Sequence, residues 1–291
     1  MTGVQTCALP ISSPTATATN TPTATATATP GPTNTPPPAG SELIYLSGSG
    51  SGTAGGVAFS SEDIVAYDSG SGLWSMVFDG SDVGISLNNL DGFTFMDDGT
   101  ILMSFIRAQT IGSLADVDDS DIVRFVPTSL GDTTAGSFEW FLDGSDVGLT
   151  SAGEDVDAVG WTGDGRLLIS VLGNVSAGSV TGGDHLLLVL DNAVFGEDSS
   201  GDWAIYFNGS TADLSPGSED ISGAWVDAAN GDVYLSSSGA FSVGSISGDT
   251  DDLFVCTPSA LGATTTCSYA FYWDAAAAGF GSSIDGFAIM R

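Results

Sequence analysis

The chain has 291 residues with 36 acidic side chains, four arginines and no lysine, so its formal net charge is -32. A surface this acidic repels nucleic acid and anionic membranes, which proteins bind by displacing counterions with lysine and arginine. The absence of lysine also excludes Schiff-base chemistry and a P-loop, whereas a hydrophobic content of 42% is ordinary for a globular core.

The first eleven residues, MTGVQTCALPI, resemble the translation of a short-read sequencing adapter. Residues 1–11, including Cys7, are therefore excluded from the fold. Residues 12–40 consist almost wholly of Thr, Ala, Pro, Asn and Ser, with no charge. Such a stretch cannot bury a core, and its prolines favour an extended conformation. The sequence predicts a disordered Thr/Pro-rich stalk of the kind that carries O-linked glycans on surface proteins.

Residues 41–291 contain four repeats. The segment FDGSDVGI at 78–85 recurs as LDGSDVGL at 142–149, and in degenerate form as FNGSTADL at 207–214 and WDAAAAGF at 273–280. The second residue of each segment is spaced by 64, 65 and 66 positions; these residues are Asp79, Asp143, Asn208 and Asp274. A period of about 65 residues is typical of architectures built from repeated supersecondary units.

Each repeat contains four predicted strands, which begin directly after the repeated segment. In one unit they read DGFTFM from 91, ILMSF from 101, DIVRF from 121 and FEWFL from 138. The second and third strands are continuous apolar runs, as expected of strands buried on both faces. The fourth strands share an aromatic position, which predicts packing between units, with a sugar-stacking platform as the alternative; it holds Trp74, Phe138, Trp203 and Tyr269. Four strands per unit predict one blade of a β-propeller.

The two ends of the repeat region are complementary. The region opens on a second strand, IYLS at 44–47, and closes on a first strand, DGFAIM at 285–290. The N-terminal end thus supplies three strands of one blade, and the C-terminal end supplies the remaining one. This 1+3 closure predicts an all-β, four-bladed β-propeller, because a β-sandwich or a β-helix would not give equal units of this length with complementary ends.

The residues that open the first strands are candidate metal ligands. If first strands lie innermost, these residues form a ring around the axis. The ring would comprise Asp91, Asp157, Ser222 and Asp285, with Asn89, Asp155, Asp220 and Ser283 two positions earlier. Carboxylates that converge in this way must be protonated, solvated or neutralised by a cation such as Ca²⁺ or Na⁺, which bind oxygen ligands. The alternative is that each Asp caps the turn that enters its strand.

The repeated segment is a second candidate calcium site. Asp79 and Asp82, and in the next unit Asp143 and Asp146, lie in loops punctuated by glycine. Such a loop can wrap Ca²⁺ or form a hydrogen-bonded turn without an ion. The last two units lack the second acid, which favours the turn. The run DVDDSD at 116–121 lacks the glycine and the glutamate of an EF-hand and is predicted to be a solvated acidic loop.

Cys256 and Cys267 flank the loop between the third and fourth strands of one unit. Alignment with the second unit places them across a hairpin, which predicts a disulfide, with two free thiols as the alternative. His185, the only histidine, replaces the Asp that opens the other third strands. No nucleophile-elbow motif accompanies it, so it is expected to be a loop residue and not a catalytic base.

Over residues 41–291 the units resemble those of bacterial secreted β-propeller-like repeat proteins with DGSDVGL-type segments. The resemblance implies a location outside the cell or at its surface, and it implies no activity. The stalk, the repeats and the lack of a catalytic constellation predict an extracellular binding or structural module, stabilised by a cation, with a glycan or protein ligand. The alternative is a glycoside hydrolase that uses axial carboxylates as its acid and base.

Overall fold

The computed structural model describes Met1 and residues 41–85, 90–214 and 219–291. Residues 2–40, which include the whole of the predicted stalk, lie outside the described residues. Asn89 lies outside them too. Regular structure in the described part consists of β-strands and three 3₁₀ turns, Gly80–Val83, Ser145–Val147 and Gly209–Thr211. No helix found there has the length and apolar character needed to cross a membrane.

The described residues form 24 strands. Sixteen of them build four antiparallel sheets of four strands, and the other eight build four short hairpins. In chain order they are β1 (Leu43–Gly48), β2 (Gly52–Ala54), β3 (Val57–Phe59), β4 (Ile64–Asp68), β5 (Leu73–Phe78), β6 (Leu90–Phe95), β7 (Ile101–Phe105), β8 (Gln109–Ile111), β9 (Leu114–Val117), β10 (Ile122–Ser129), β11 (Ala135–Leu142), β12 (Val156–Trp161), β13 (Leu167–Val171), β14 (Val175–Ala177), β15 (Val180–Gly182), β16 (Leu186–Val194), β17 (Ser200–Asn208), β18 (Ile221–Val226), β19 (Val233–Ser237), β20 (Phe241–Val243), β21 (Ile246–Gly248), β22 (Asp252–Ala260), β23 (Thr266–Asp274) and β24 (Ile284–Met290).

The four larger sheets are the blades of a four-bladed β-propeller. Blade 1 is β24-β1-β4-β5, blade 2 is β6-β7-β10-β11, blade 3 is β12-β13-β16-β17 and blade 4 is β18-β19-β22-β23. The innermost strands β24, β6, β12 and β18 contact one another in a closed ring. Blade 1 takes its innermost strand from the C-terminal end of the chain and its other three from the N-terminal end. The predicted 1+3 closure is therefore confirmed.

A short hairpin follows the second strand of every blade: β2–β3, β8–β9, β14–β15 and β20–β21. These hairpins were not predicted, because their strands have only three or four residues. Glu154 fastens one of them, since its Oε1 accepts a bond from the Ser176 N–H at 2.7 Å. Because second strands end where first strands begin, all four hairpins surround the same end of the axis.

The aromatic position of the fourth strands lies at the seams between blades. Trp203 and Phe138 are only 5% and 7% exposed. The indole N–H of Trp203 donates to the Val147 carbonyl at 3.1 Å, and that of Trp74 donates to the Ala278 carbonyl at 2.8 Å. Both side chains thus lie against a repeated segment of the neighbouring unit. They serve blade packing, as predicted, rather than an exposed sugar platform.

The repeated segment joins successive blades through a pair of hydrogen bonds that we call the seam clasp. The Asp79 N–H donates to Thr134 Oγ1 at 2.9 Å, and the Thr134 N–H donates back to Asp82 Oδ2 at 2.8 Å. The same pair recurs at two further seams, through Asp143, Ser199 and Asp146 and through Asn208, Thr265 and Thr211. Thr211 replaces the second acid but keeps an acceptor oxygen, so hydrogen bonding explains the degeneracy of the third segment.

Loss of a seam clasp is expected to destabilise the ring. Thr134→Val keeps the side-chain volume but leaves the partly buried Asp79 N–H without its acceptor, which costs about 0.5–1.5 kcal/mol. Chemical denaturation should show that loss of unfolding free energy. Thr133→Val, at the exposed neighbouring position, is the matched control and should be nearly neutral. Equal stability of the two variants would contradict the clasp.

The seam between blades 4 and 1 carries an arginine. Arg291, the last residue, donates from Nε to Glu42 Oε1 at 2.6 Å and from Nη2 to the Tyr234 hydroxyl at 2.7 Å. It also bonds Asp227 through Nη1, and its guanidinium lies 5.3 Å from the ring centroid of Trp225. One side chain therefore links the last strand to the start of blade 1 and to blade 4.

The predicted disulfide is confirmed. Cys256 in β22 and Cys267 in β23 are bonded, with their Cα atoms 5.3 Å apart. In the strand ladder Cys256 pairs with Tyr269 and Cys267 pairs with Pro258. The disulfide thus joins diagonal positions of the hairpin, where the sequence alignment suggested directly opposed ones.

Candidate metal centre

A β-bulge interrupts every innermost strand near its start. The pairing register with the second strand breaks around Asp91 in blade 2, Asp157 in blade 3, Ser222 in blade 4 and Asp285 in blade 1. A bulged residue is left out of the ladder and its side chain is re-aimed. The bulge residues are the four that the sequence placed in the axial ring.

A buried serine lies at the same position of every second strand, beside the bulges; the four are Ser47, Ser104, Ser170 and Ser236, each 0% exposed. The Gly92 N–H donates to Ser104 Oγ at 2.9 Å, and the Gly286 N–H donates to Ser47 Oγ at 2.8 Å. These two hydroxyls satisfy backbone groups that the bulge removes from the ladder, whereas the Ser170 hydroxyl donates to the Ile221 carbonyl of the next blade at 2.6 Å. Their role was not predicted, although a serine recurs at this position in every second strand.

Three of the bulge residues meet at the axis. Asp91, Asp157 and Asp285 each offer a carboxylate oxygen, and these oxygens lie within 4.8 Å of one another. Asp91 and Asp157 are 3% and 5% exposed. Asp157 Oδ2 and Asp285 Oδ2 are buried without a hydrogen-bond partner. Because unpaired buried carboxylate oxygens are costly, this cluster is the strongest candidate for a bound ligand among the described residues.

The residues two positions earlier form an outer tier. Asp155 and Asp220 are each 6% exposed, and each has a buried Oδ1 without a partner. Ser283 at the corresponding position of blade 1 is satisfied, since its Oγ lies 2.7 Å from Thr250 Oγ1. The outer tier therefore adds two further carboxylates to the same end of the axis.

Burial raises the pKa of every carboxyl in the two tiers. It raises the pKa of Asp155 and Asp285 to about 7 and that of Asp220 to about 8. The pKa values of Asp91 and Asp157 are also raised, first by desolvation and then by repulsion from neighbouring carboxylates. Without a cation these groups retain protons that ordinary surface aspartates release near pH 4.

The cluster is the floor of a depression and not the entrance of an open channel, because the axis beneath it is packed. A Cβ added to Gly92 would lie 2.6 Å from the Val159 nitrogen, and one added to Gly223 would lie 2.7 Å from the Phe287 ring. The depression has a volume of about 460 Å³. Its walls include Ser49, Ile106, Arg107, Leu172, Ser238 and Ser283.

The acids of the repeated segment lie in turns away from the axial cluster. Asp79 Oδ1 accepts bonds from the N–H and hydroxyl of Ser81, and Asp143 Oδ1 does the same with Ser145. The second acids, Asp82 and Asp146, accept the backbone N–H groups of the seam clasps. These segments therefore form hydrogen-bonded turns. Calcium binding at them stays a prediction.

The acidic loop DVDDSD is a capping turn. Asp118 Oδ1 accepts bonds from the N–H and hydroxyl of Ser120. Asp121 accepts from the Asp118 N–H at 2.8 Å and from the Gly144 N–H at 2.9 Å, so it ties the loop to the repeated segment. Asp63 binds the equivalent Gly80 N–H in blade 1, again at 2.9 Å. The aspartates that open third strands therefore have a structural role.

His185 occupies the same strand-opening position in blade 3. It is 8% exposed, and its Nδ1 lies 3.1 Å from Asp184 Oδ1. Its carbonyl accepts the Gly209 N–H at 2.9 Å, so the backbone replaces the contact that an aspartate side chain makes elsewhere.

The axial donor set consists of oxygen atoms. Carboxylates from three blades converge, with hydroxyls and two more carboxylates near them. Hard cations such as Ca²⁺ bind sites made of oxygen ligands alone, whereas the typical zinc sites of proteins include thiolate or imidazole ligands. The residues present fit a hard cation.

No protein-family model and no curated protein matches this chain. Among solved structures, the chain is similar to the PQQ-bound form of aldose sugar dehydrogenase from Streptomyces coelicolor. The identity is 14% and the TM-score is 0.33, over 82% of this chain and 87% of the other.

Proposed function

We propose that the protein is an extracellular, surface-displayed binding module whose ring is stabilised by Ca²⁺ at the axial carboxylates. The observation that carries this proposal is the cluster of Asp91, Asp157 and Asp285, in which one carboxylate oxygen of each lies within 4.8 Å of the others and Oδ2 of both Asp157 and Asp285 is buried without a partner. A turn-capping role does not account for them, because a cap accepts backbone N–H groups and these oxygens accept none.

Repulsion within the cluster explains why a cation stabilises it. Two unit charges 4.8 Å apart repel by about 3.5 kcal/mol at an effective dielectric constant of 20. Three ionised carboxylates at this spacing are therefore unstable at neutral pH unless a positive charge lies between them. A divalent cation attracts each carboxylate about twice as strongly as one carboxylate repels another at the same distance.

Calcium fits the site better than magnesium. Calcium accepts irregular coordination by six to eight oxygens, whereas magnesium requires a near-ideal octahedron and retains its water. The axial ring is asymmetric, with three carboxylates and one serine at the bulges and acids at only some outer positions. An irregular donor set of this kind favours the larger ion.

An extracellular location is supported by the disulfide. Bonds such as Cys256–Cys267 persist in oxidising compartments and are rare in the cytosol. The seam clasps and the disulfide give a rigid body that is suited to present loops to a glycan or a protein ligand. A location outside the cell also provides the calcium concentrations that a site of moderate affinity requires.

Calcium is expected to raise the melting temperature of the full chain, and EDTA is expected to remove the increase. At a free calcium concentration one hundred times Kd, the gain is about 2.7 kcal/mol. Sodium chloride at matched ionic strength is the control, because simple screening of the net charge of -32 would stabilise the protein with any salt. A melting temperature that changes neither with calcium nor with EDTA would contradict the proposal.

A further inference from the structure

We infer that the cation in the axial cluster binds a neutral saccharide through two adjacent hydroxyl groups, an inference that rests on the proposed calcium site. The cluster lies at the floor of a depression of about 460 Å³. This volume is within the usual range of small-molecule sites. Asp91, Asp157 and Asp285 all line the depression, so an ion between them is accessible to a ligand.

The coordination number leaves room for ligand oxygens. Calcium takes six to eight oxygen ligands, and the innermost ring supplies three carboxylates. The fourth bulge residue is Ser222, whose hydroxyl already lies 3.0 Å from Ser236 Oγ. Because the axis beneath the cluster is packed, the unfilled coordination positions face the depression. A vicinal diol supplies two oxygen atoms at the spacing needed to occupy two of these positions.

Charge determines the class of ligand. Both tiers together hold five aspartates, of which Asp91, Asp155 and Asp157 are almost fully buried in the depression floor. Even with a divalent cation bound and Arg107 at the rim, the ionised tiers retain a net negative charge. An acidic sugar or an acidic peptide is therefore repelled, whereas neutral hydroxyls coordinate the ion without adding charge.

The depression also has an apolar wall. Leu172 directly follows β13 and is 50% exposed, although the strand itself is buried. Ile106 occupies the equivalent position in blade 2 and lines the same depression. The Leu172 N–H donates to the Asp155 carbonyl at 2.9 Å, which fixes the leucine backbone beside the cluster. A pyranose that coordinates the ion through its edge can lay its C–H face on this wall.

A glycan array probed with the full chain in calcium and in EDTA tests the inference, with a parallel calcium titration by calorimetry. We expect binding to neutral glycans with free vicinal hydroxyls, in calcium only. Leu172→Ala should weaken that binding about tenfold, as loss of an apolar pocket contact does, without changing calcium affinity. Leu261→Ala, at a leucine that is 38% exposed outside the depression, is the matched control.

Calcium binding without glycan binding would overturn this inference and leave the proposed function intact. Glycan binding that persists in EDTA, or that is confined to anionic glycans, would also overturn it. If calorimetry shows no calcium binding, the proposed function and this inference both fail. If Leu172→Ala and Leu261→Ala weaken glycan binding equally, the apolar wall does not contact the glycan.

Discussion

In EDTA, the free energy of unfolding of the propeller is expected to fall steeply as the pH rises from about 5 to about 8. The folded-state pKa is about 7 for Asp155 and Asp285 and about 8 for Asp220, because burial disfavours their charged forms. In the unfolded chain the same groups release their protons near pH 4. Between these limits the folded state binds more protons than the unfolded state, so each rise in pH favours unfolding.

The expected loss is large. Each unit of pKa difference corresponds to about 1.4 kcal/mol, so the axial carboxyls together contribute several kcal/mol. Chemical denaturation in EDTA at pH 5 and pH 8.5 measures it. Saturating calcium should flatten the profile, since the ion takes the place of the protons. A profile in EDTA that is level or rises between these pH values would contradict the burial of the cluster.

Two carboxyls outside the axial tiers titrate in the same range. Burial raises the pKa of Asp121 to about 7 and that of Asp251 to about 6. The variant Asp285→Asn distinguishes the axial carboxyls from Asp121 and Asp251 as sources of the pH dependence. It removes one axial carboxyl and leaves Asp121 and Asp251 in place. The variant should lose less stability than the parent protein between pH 5 and pH 8.5, by an amount of a few kcal/mol at most.

Asp157→Asn is expected to have opposite effects with and without calcium. In EDTA at pH 8 it removes a buried ionisable group whose Oδ2 has no partner, and should stabilise the protein by about 1–3 kcal/mol, the usual penalty of a buried polar group without a partner. For a domain of this size each kcal/mol raises the melting temperature by about 2–4 °C. In calcium the same variant loses a ligand, so the calcium-dependent increase should largely disappear.

Asp143→Asn is the matched control for this experiment. Asp143 lies in a turn where its carboxylate accepts from Ser145, away from the axial cluster. Weakening that turn should cost about 1 kcal/mol in calcium and in EDTA alike. If Asp157→Asn lowers stability in EDTA, or if Asp143→Asn abolishes the calcium response, the cation is not held at the axis.

The repeat number, the blade order and the disulfide were predictable because they depend on local patterns. Strand positions follow from short apolar runs and turn residues, and the ring size follows from the phase of the first and last strands. The axial ring residues were also predictable, because equivalent positions of equal repeats must occupy equivalent places around an axis. The short hairpins were missed, since strands of three residues carry too little pattern.

The seam clasps could be predicted only in part from the sequence. Their acceptors are the Thr or Ser that ends a G-x-x-[ST] stretch, at 131–134, 196–199 and 262–265. This recurring stretch was an available signal. The hydrogen bond that it forms could not be predicted, because the bonding partner lies more than fifty residues away, in the preceding repeat.

An acidic four-bladed propeller whose aspartates recur at turns and at strand entries could be predicted from the order of the residues. Which of those aspartates differ from the rest depends on the packing of the four blades. Asp79 and Asp82 bind backbone N–H or hydroxyl groups, whereas Asp157 and Asp285 keep buried oxygens without partners. Desolvation and hydrogen bonding of a carboxylate depend on the groups that surround it in space. Aspartates in similar local sequences can therefore have different surroundings.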